Sequence, residues 1–129
     1  MRIEQDNNSI QNDANENERE KERSKIYKDN RNIFLAHVLV PSDRKGYRYD
    51  IYIYLIRHKS KDFSDIDSAE FFFGHMWGNK IFKTKNENGL IGISTSAYAP
   101  FLCTCHIKMS DGKILKIHKY IDFEMKRIN

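Results

Sequence analysis

Two large aromatic side chains lie in short segments of small or polar residues, which are typical of binding loops. Trp77 stands in Gly74-His-Met-Trp-Gly78, and Tyr98 stands in the run from Ser94 to Pro100. Two rings that face each other across a narrow gap can stack on a flat amide, and a nearby His75 or Ser96 can hydrogen-bond the amide carbonyl. The predicted ligand-binding residues are therefore His75, Trp77, Ser96 and Tyr98, in the loops 74–79 and 94–100.

Each ring also has a structural interpretation, and the residue types leave both open. A tryptophan commonly fills the core of a β-sandwich, and a tyrosine can hydrogen-bond the backbone. The ligand is open as well, because an unmodified lysine could bind by cation–π attraction, whereas a neutral acyl-amide needs no charge partner.

The residues that could support catalysis do not form a catalytic set. His75 would need a nucleophile and an orienting acid, and Ser94 and Ser96 lie in no Gly-x-Ser-x-Gly elbow. A second acid–base combination, His118 with Tyr120 and Asp122, lies on one face of a predicted strand, and a solvent face explains it better. We therefore expect no enzyme and no catalytic residue.

Cys103, Cys105 and His106 form a cluster with metal-ligand residue types. The alternation of a strand places His106 on the face opposite the two cysteines, and the spacing differs from Cys-x2-Cys. We predict no metal and no cofactor. Cysteines two apart on one strand cannot bridge easily, so both are expected to be reduced core residues.

A sheet must position these loops. From Phe101 to Met109 apolar residues alternate with polar ones, which predicts a strand with one buried face. Pro100 sets its start, since proline has no N–H for a sheet ladder. Similar signals separated by turn residues predict strands over 33–40, 47–56, 65–73, 79–84, 90–94, 101–109 and 114–123, with only Lys119 breaking the apolar face of the last. The fold class is therefore an all-β antiparallel sandwich of seven or eight strands.

The first 30 residues differ from the rest of the chain. They carry 6 basic and 8 acidic residues, a net charge of −2, whereas the remainder carries 16 basic and 10 acidic residues, a net charge of +6. This polar segment cannot bury enough surface to offset its ordering entropy. We predict a disordered or partly helical N-terminal tail over 1–30 and one domain over 31–129. With no apolar run long enough for a membrane helix or a signal peptide, the expected location is cytoplasmic.

A further set of residues supports a different function. Basic and aromatic side chains mix between residues 47 and 61, as in proteins that bind single-stranded nucleic acids through stacking rings over a basic groove. This alternative requires that Arg48, Tyr52 and Tyr54 be exposed together. Cross-strand packing of tyrosines is the competing explanation.

Several short motifs, in order, resemble YEATS domains and especially their prokaryotic branch. They are Tyr-Asp-Ile-Tyr-Ile-Tyr-Leu at 49–55, Ile-Asp-Ser-Ala-Glu-Phe-Phe-Phe at 66–73, Gly-His-Met-Trp at 74–77 and Ser-Ala-Tyr-Ala-Pro-Phe-Leu at 96–102, followed by a strand, an Asp-Gly turn and a last strand. The pattern departs from the family at Met76, Trp77 and Gly78 in the first loop and at Pro100 in the second.

The resemblance implies an immunoglobulin-like sandwich that works as a non-catalytic recognition module. Eukaryotic members hold the acyl-amide of a modified lysine between two aromatic rings; here Tyr98 matches the ring of the second loop and His75 the histidine of the first. Trp77 could supply the other ring from one position earlier. The implied partner is a protein or a modified peptide, in a bacterial signalling or defence context. Edge-strand pairing with a protein partner is a further alternative.

Overall fold

The computed structural model describes residues 9–124 of the chain, with side chains from residue 15 onward. The remaining parts of the predicted tail, 1–30, and of the predicted domain, 31–129, lie outside the described residues. Within residues 9–124 the chain forms one helix and seven strands: α1 Ser9–Asp29, β1 Ile33–Pro41, β2 Tyr49–Arg57, β3 Ile66–Phe72, β4 Ile81–Lys85, β5 Gly92–Ala97, β6 Phe101–Met109 and β7 Ile114–Ile121. A short 3₁₀ turn lies between β3 and β4.

The strands form two antiparallel sheets, and this confirms the predicted all-β sandwich. One sheet has the order β1-β2-β5, and the other has the order β4-β3-β6-β7. In the described part of the chain all seven strands fall where the sequence pattern predicts them, with ends that differ by up to three residues. Both sheets show one buried and one solvated face, as the alternation requires.

The buried face of β6 lies at the centre of the core. Phe101, Cys103, Cys105, Ile107 and Met109 are all buried, and the residues between them are exposed or half-buried. Strand β6 pairs with β3 on one side and with β7 on the other. The predicted division of this strand into a core face and a solvent face is therefore confirmed.

The two cysteines are free and fully buried. Burial raises the pKa of the Cys103 thiol to about 12, and burial together with the neighbouring Cys103 raises the pKa of Cys105 further. Because the thiolate is the reactive form, we expect neither cysteine to be alkylated by iodoacetamide at pH 8 in the folded protein, and both to be alkylated in guanidinium chloride. Mass spectrometry of the two reactions checks this. Equal alkylation rates with and without denaturant would show that the core opens readily.

Lys119 interrupts the apolar face of β7 because that strand lies at the edge of its sheet. The residue lies half-buried between the sheets, close to His37 of β1. An inward-pointing charge at a sheet edge discourages pairing with another chain. Burial first, and the charge of Lys119 second, lower the pKa of His37, whose Nε2 lies 3.3 Å from the carbonyl oxygen of Asp122.

Helix α1 contacts the sandwich through its C-terminal end. The ring of Tyr27 packs edge-on against Phe34, with ring centroids 5.5 Å apart, and against His58 at 4.9 Å. The rest of the described helix surface is exposed. A helical segment agrees with the partly helical form of the predicted tail, and the division between tail and domain near residue 30 stays a prediction. The helix lies at the end of the sandwich opposite the loops that carry Trp77 and Tyr98.

Candidate functional site

The loop after β3 is shaped by two glycines and a single 3₁₀ turn, His75–Trp77. The amide of Trp77 donates to the carbonyl of Gly74 at 3.1 Å, and that of Gly78 donates to the carbonyl of His75 at 2.9 Å. Gly74 has φ 100° and ψ −173°, a region that L-residues rarely adopt. The turn therefore depends on glycine at position 74 to set the direction in which Trp77 leaves the strand.

Replacing Gly74 with alanine tests this dependence. A Cβ would meet no atom within 4 Å, so the cost comes from the backbone angles alone. We expect the free energy of unfolding to fall by about 1–3 kcal/mol. Denaturant unfolding measures this, and Gly46→Ala is a useful comparison because Gly46 also has open space and a positive φ but lies in the β1–β2 loop. Unchanged stability for Gly74→Ala would mean that the turn relaxes freely.

Trp77 belongs to an aromatic cluster at the edge of the core. Its ring centroid lies 5.0 Å from that of Phe73 and 5.1 Å from that of Phe101, and Phe82 lies 6.2 Å away. The side chain is half-buried. One side of the ring therefore packs on the core, as the structural interpretation predicts, whereas a role of Trp77 in ligand binding stays a prediction.

The loop after β5 meets this cluster and closes a cavity. Tyr98 is 55% exposed and lines the same cavity as His75 and Trp77. The cavity has a volume of about 310 Å³ and is lined by Phe73, Gly74, His75, Met76, Trp77 and residues 98–102. No lining residue is acidic. Three of the four predicted site residues are therefore brought together, although their role in binding stays a prediction.

Ser96 is the exception, and its predicted place in a loop is wrong. It belongs to β5, which extends to Ala97, so the predicted loop 94–100 is reduced to residues 98–100. Its side chain is buried on the outer side of the three-stranded sheet, where the hydroxyl donates to Oδ1 of Asp50 at 2.6 Å and accepts from Arg44 at 3.4 Å. The hydrogen bond from Ser96 is the main cause that lowers the pKa of Asp50. This side chain does not line the cavity.

Three lining residues, Phe73, Phe101 and Leu102, lie outside the predicted loops 74–79 and 94–100. Phe73 and Phe101 were assigned only to the core, although each adjoins one of the loops. Leu102 was not assigned to the site, whereas Met76, which is 70% exposed, lies within the predicted first loop. The positions of Phe73 and Phe101 beside the ends of strands could have indicated them, because an aromatic residue at a strand end can pack on the core and still face a loop.

Arg48, just before β2, is exposed, but Tyr52 and Tyr54 of β2 are not fully exposed with it. Tyr52 and Tyr54 are half-buried and stack on each other, with ring centroids 5.0 Å apart. The guanidinium of Arg48 lies 5.5 Å from the centroids of both Tyr49 and Phe123. The condition set for nucleic-acid binding at this strand is not met.

The described residues give no sign of two other kinds of site. Between residues 9 and 124 no group of three or more His, Cys, Asp or Glu side chains is placed to hold a metal ion. The one helix among those residues is not apolar enough to cross a membrane.

The fold and the two loops agree with a comparison against protein families. The family described as the prokaryotic YEATS domain matches residues 49–122, which include β2 to β7 and both loops of the cavity. The match covers more than half of the chain, so this chain belongs to the prokaryotic YEATS domain family, whose fold is an immunoglobulin-like β-sandwich. No curated protein matches the chain. YEATS domains are reader modules without enzymatic activity, so the family indicates a non-catalytic interaction module.

Proposed function

We propose that this chain recognises an acylated lysine of a protein or peptide partner in the cavity between residues 74–77 and 98–102. The observation that carries the proposal is the convergence of His75, Trp77 and Tyr98 on one cavity of about 310 Å³. This volume is near the lower limit for small-molecule sites, about 300 Å³, and suits a single modified side chain better than a large cofactor.

The chemistry of the cavity favours a neutral ligand over an ammonium group. Its walls are mainly apolar, with the aromatic rings of Phe73, Trp77, Tyr98 and Phe101, and they carry no carboxylate. An ammonium group that lost its water there would have no partner, which is costly. Acylation removes that charge and adds an apolar group, so the walls can cover the ligand without leaving a charge unpaired.

The amide of an acyl-lysine also needs hydrogen bonds, and the two loops offer them. The exposed ring of His75 borders the cavity. The backbone N–H groups of Tyr98 and Ala99 donate to no other group within residues 9–124. These groups support a model in which the loop backbone and His75 replace Ser96 as polar anchors. Tyr98 supplies the exposed ring that stacks on the amide plane.

The proposal includes the cellular compartment and the system in which the protein works. Both cysteines are free and buried, which suits a reducing compartment such as the cytoplasm. The family supports a protein partner, and we place the module in a bacterial signalling or defence system.

The test measures binding of the full chain to matched peptides that carry unmodified, acetylated or crotonylated lysine. We expect binding only to the acylated peptides, with crotonyl above acetyl because the larger acyl group covers more of the apolar wall. Calorimetry or fluorescence anisotropy gives the affinities. A folded protein that binds none of the peptides, or binds the unmodified one equally well, overturns the acyl-lysine proposal.

A further inference from the structure

The solvent face of the four-stranded sheet, formed by the outward residues of β3, β4, β6 and β7, carries an excess of positive charge. Its lysines are Lys83, Lys85, Lys108 and Lys116. Among the residues that alternate outward along these strands, Glu70 is acidic. Asp67 lies at the bulge where this alternation shifts, near the start of β3. All four lysines are exposed. We refer to this surface as the outer four-stranded face.

Few of these charges are neutralised within the sheet. Lys83 lies 3.9 Å from Glu70, whereas Lys85, Lys108 and Lys116 form no ion pair among residues 9–124. The strand register brings the three together, because Lys85 and Lys108 both pair with Ser68, and Lys116 pairs with His106, two residues before Lys108. Lysines that are grouped in this way favour an anionic partner.

Apolar and aromatic side chains lie among the lysines. Phe72, on the inner strand β3, is 37% exposed, and Tyr120, on the edge strand β7, is 57% exposed. Both side chains point to solvent. Beside Phe72 a shallow cavity of about 320 Å³ is lined by Glu70, Phe72, Ile81, Thr104 and His106. It therefore combines a ring for stacking with hydroxyl, imidazole and carboxylate groups that can donate or accept hydrogen bonds.

We propose that the outer four-stranded face binds single-stranded nucleic acid. One base stacks on Phe72 in the shallow cavity, where Glu70 accepts a hydrogen bond from a base amino group. The phosphates lie along Lys85, Lys108 and Lys116. Stacking rings beside a row of positive charges are the two features by which sheets bind single strands without strong sequence preference.

The carboxylate of Glu70 distinguishes this ligand from an acidic peptide. It lies in the cavity itself and would repel acidic side chains, whereas the amino groups of cytosine and adenine can donate to it. Exposed rings also give little to a peptide whose binding depends on carboxylates. This surface differs from the tyrosine-rich strand β2, which belongs to the other sheet.

The test measures fluorescence anisotropy of labelled oligothymidine, oligocytidine and oligouridine, each about 12 nucleotides long, with the full chain at several salt concentrations. In Lys108→Gln/Lys116→Gln we expect the slope of log K against log salt to fall in magnitude by about 1.4, and the affinity at about 0.1 M salt to fall roughly 20-fold. In Phe72→Leu we expect roughly tenfold weaker binding with an unchanged slope. The charge-matched control, Lys45→Gln/Lys61→Gln, changes two exposed loop lysines outside this face and should bind like the natural sequence.

Two results would overturn the proposal: equal losses in the control and the Lys108/Lys116 variant, or tighter binding to polyglutamate of equal charge than to any oligonucleotide. The Tyr98→Ala variant separates this site from the acyl-lysine cavity, because we expect it to bind oligonucleotides normally. If Tyr98→Ala loses oligonucleotide binding, the assignment to the outer four-stranded face is wrong. Thermal unfolding of each variant shows whether a loss comes from misfolding.

Discussion

Replacing Tyr98 with alanine is expected to weaken acyl-peptide binding more than 30-fold and to leave the protein as stable as before. The side chain is 55% exposed and makes no hydrogen bond with other described residues, so truncation should change the free energy of unfolding by less than about 0.5 kcal/mol. Binding should suffer because an aromatic residue at the centre of a recognition site commonly contributes 2 kcal/mol or more. Calorimetric titration with the crotonylated peptide measures the loss.

Trp77 would be a poorer choice for this test, because its truncation is expected to change both the stability of the fold and the binding of the ligand. The ring packs against Phe73 and Phe101, so its removal should cost about 2–3 kcal/mol of stability, somewhat less than for a fully buried aromatic residue. A loss of binding in Trp77→Ala could then reflect a disordered loop.

A matched control for Tyr98→Ala is Tyr120→Ala. Tyr120 has a similar exposure, 57%, and does not line the cavity between the two loops. We expect the control to bind acyl-peptide normally. If Tyr98→Ala binds as tightly as this control, Tyr98 does not stack on the ligand, and the cavity is not an aromatic cage.

The strands were predictable because each has one face in the core. In β6 every second residue is buried, so the pattern of residue types directly records the environment. The turns were predictable for a related reason, since an Asp-Gly pair such as Asp111-Gly112 favours the tight geometry that joins two antiparallel strands.

The place of Ser96 could not be predicted from local sequence. Residues 94–97 are small and polar, and this composition suits a loop as well as an edge strand. The outcome depends on Asp50 of β2, which lies 46 residues earlier in the chain and pairs with Ser96. Asp50 and Arg44 then provide hydrogen bonds for the serine hydroxyl, and nothing close to Ser96 in the sequence indicates these partners.

The same kind of distant contact decides how the helix end meets the sandwich. Helix α1 has no regular apolar face, and its sequence predicts only weak helical support. Tyr27 is held by Phe34 and His58, and the backbone that follows the helix is held by Arg57. In the sequence Arg57 is one of the basic residues of the stretch 47–61, yet its side chain is only 13% exposed. Its role can be tested directly.

We expect Arg57→Ala to lower the free energy of unfolding by about 2–3 kcal/mol. The guanidinium donates to both carboxylate oxygens of Asp65, at 2.6 and 3.0 Å, and to the carbonyl of Asp62 at 2.9 Å and that of Arg31 at 3.2 Å. One side chain therefore ties the β2–β3 loop to the segment between α1 and β1. Denaturant unfolding measures the loss. The control is Lys83→Ala, which breaks a 3.9 Å surface pair and should cost less than about 1 kcal/mol.

The pH dependence of stability tests whether the charge of Asp65 contributes to the ion pair with Arg57. The hydrogen bonds from Arg57 hold the pKa of Asp65 below its ordinary value, even though burial acts in the opposite direction. A carboxyl group with a lowered pKa stabilises the fold above the unfolded value, about 3.9, and loses that contribution as the pH falls through the folded value. The gap in stability between the natural sequence and Asp65→Asn should therefore be constant from pH 7 to about pH 5 and should shrink below about pH 4. A gap that stays the same down to pH 2.5 would mean that Asp65 acts by shape and hydrogen bonding, without any contribution from its charge.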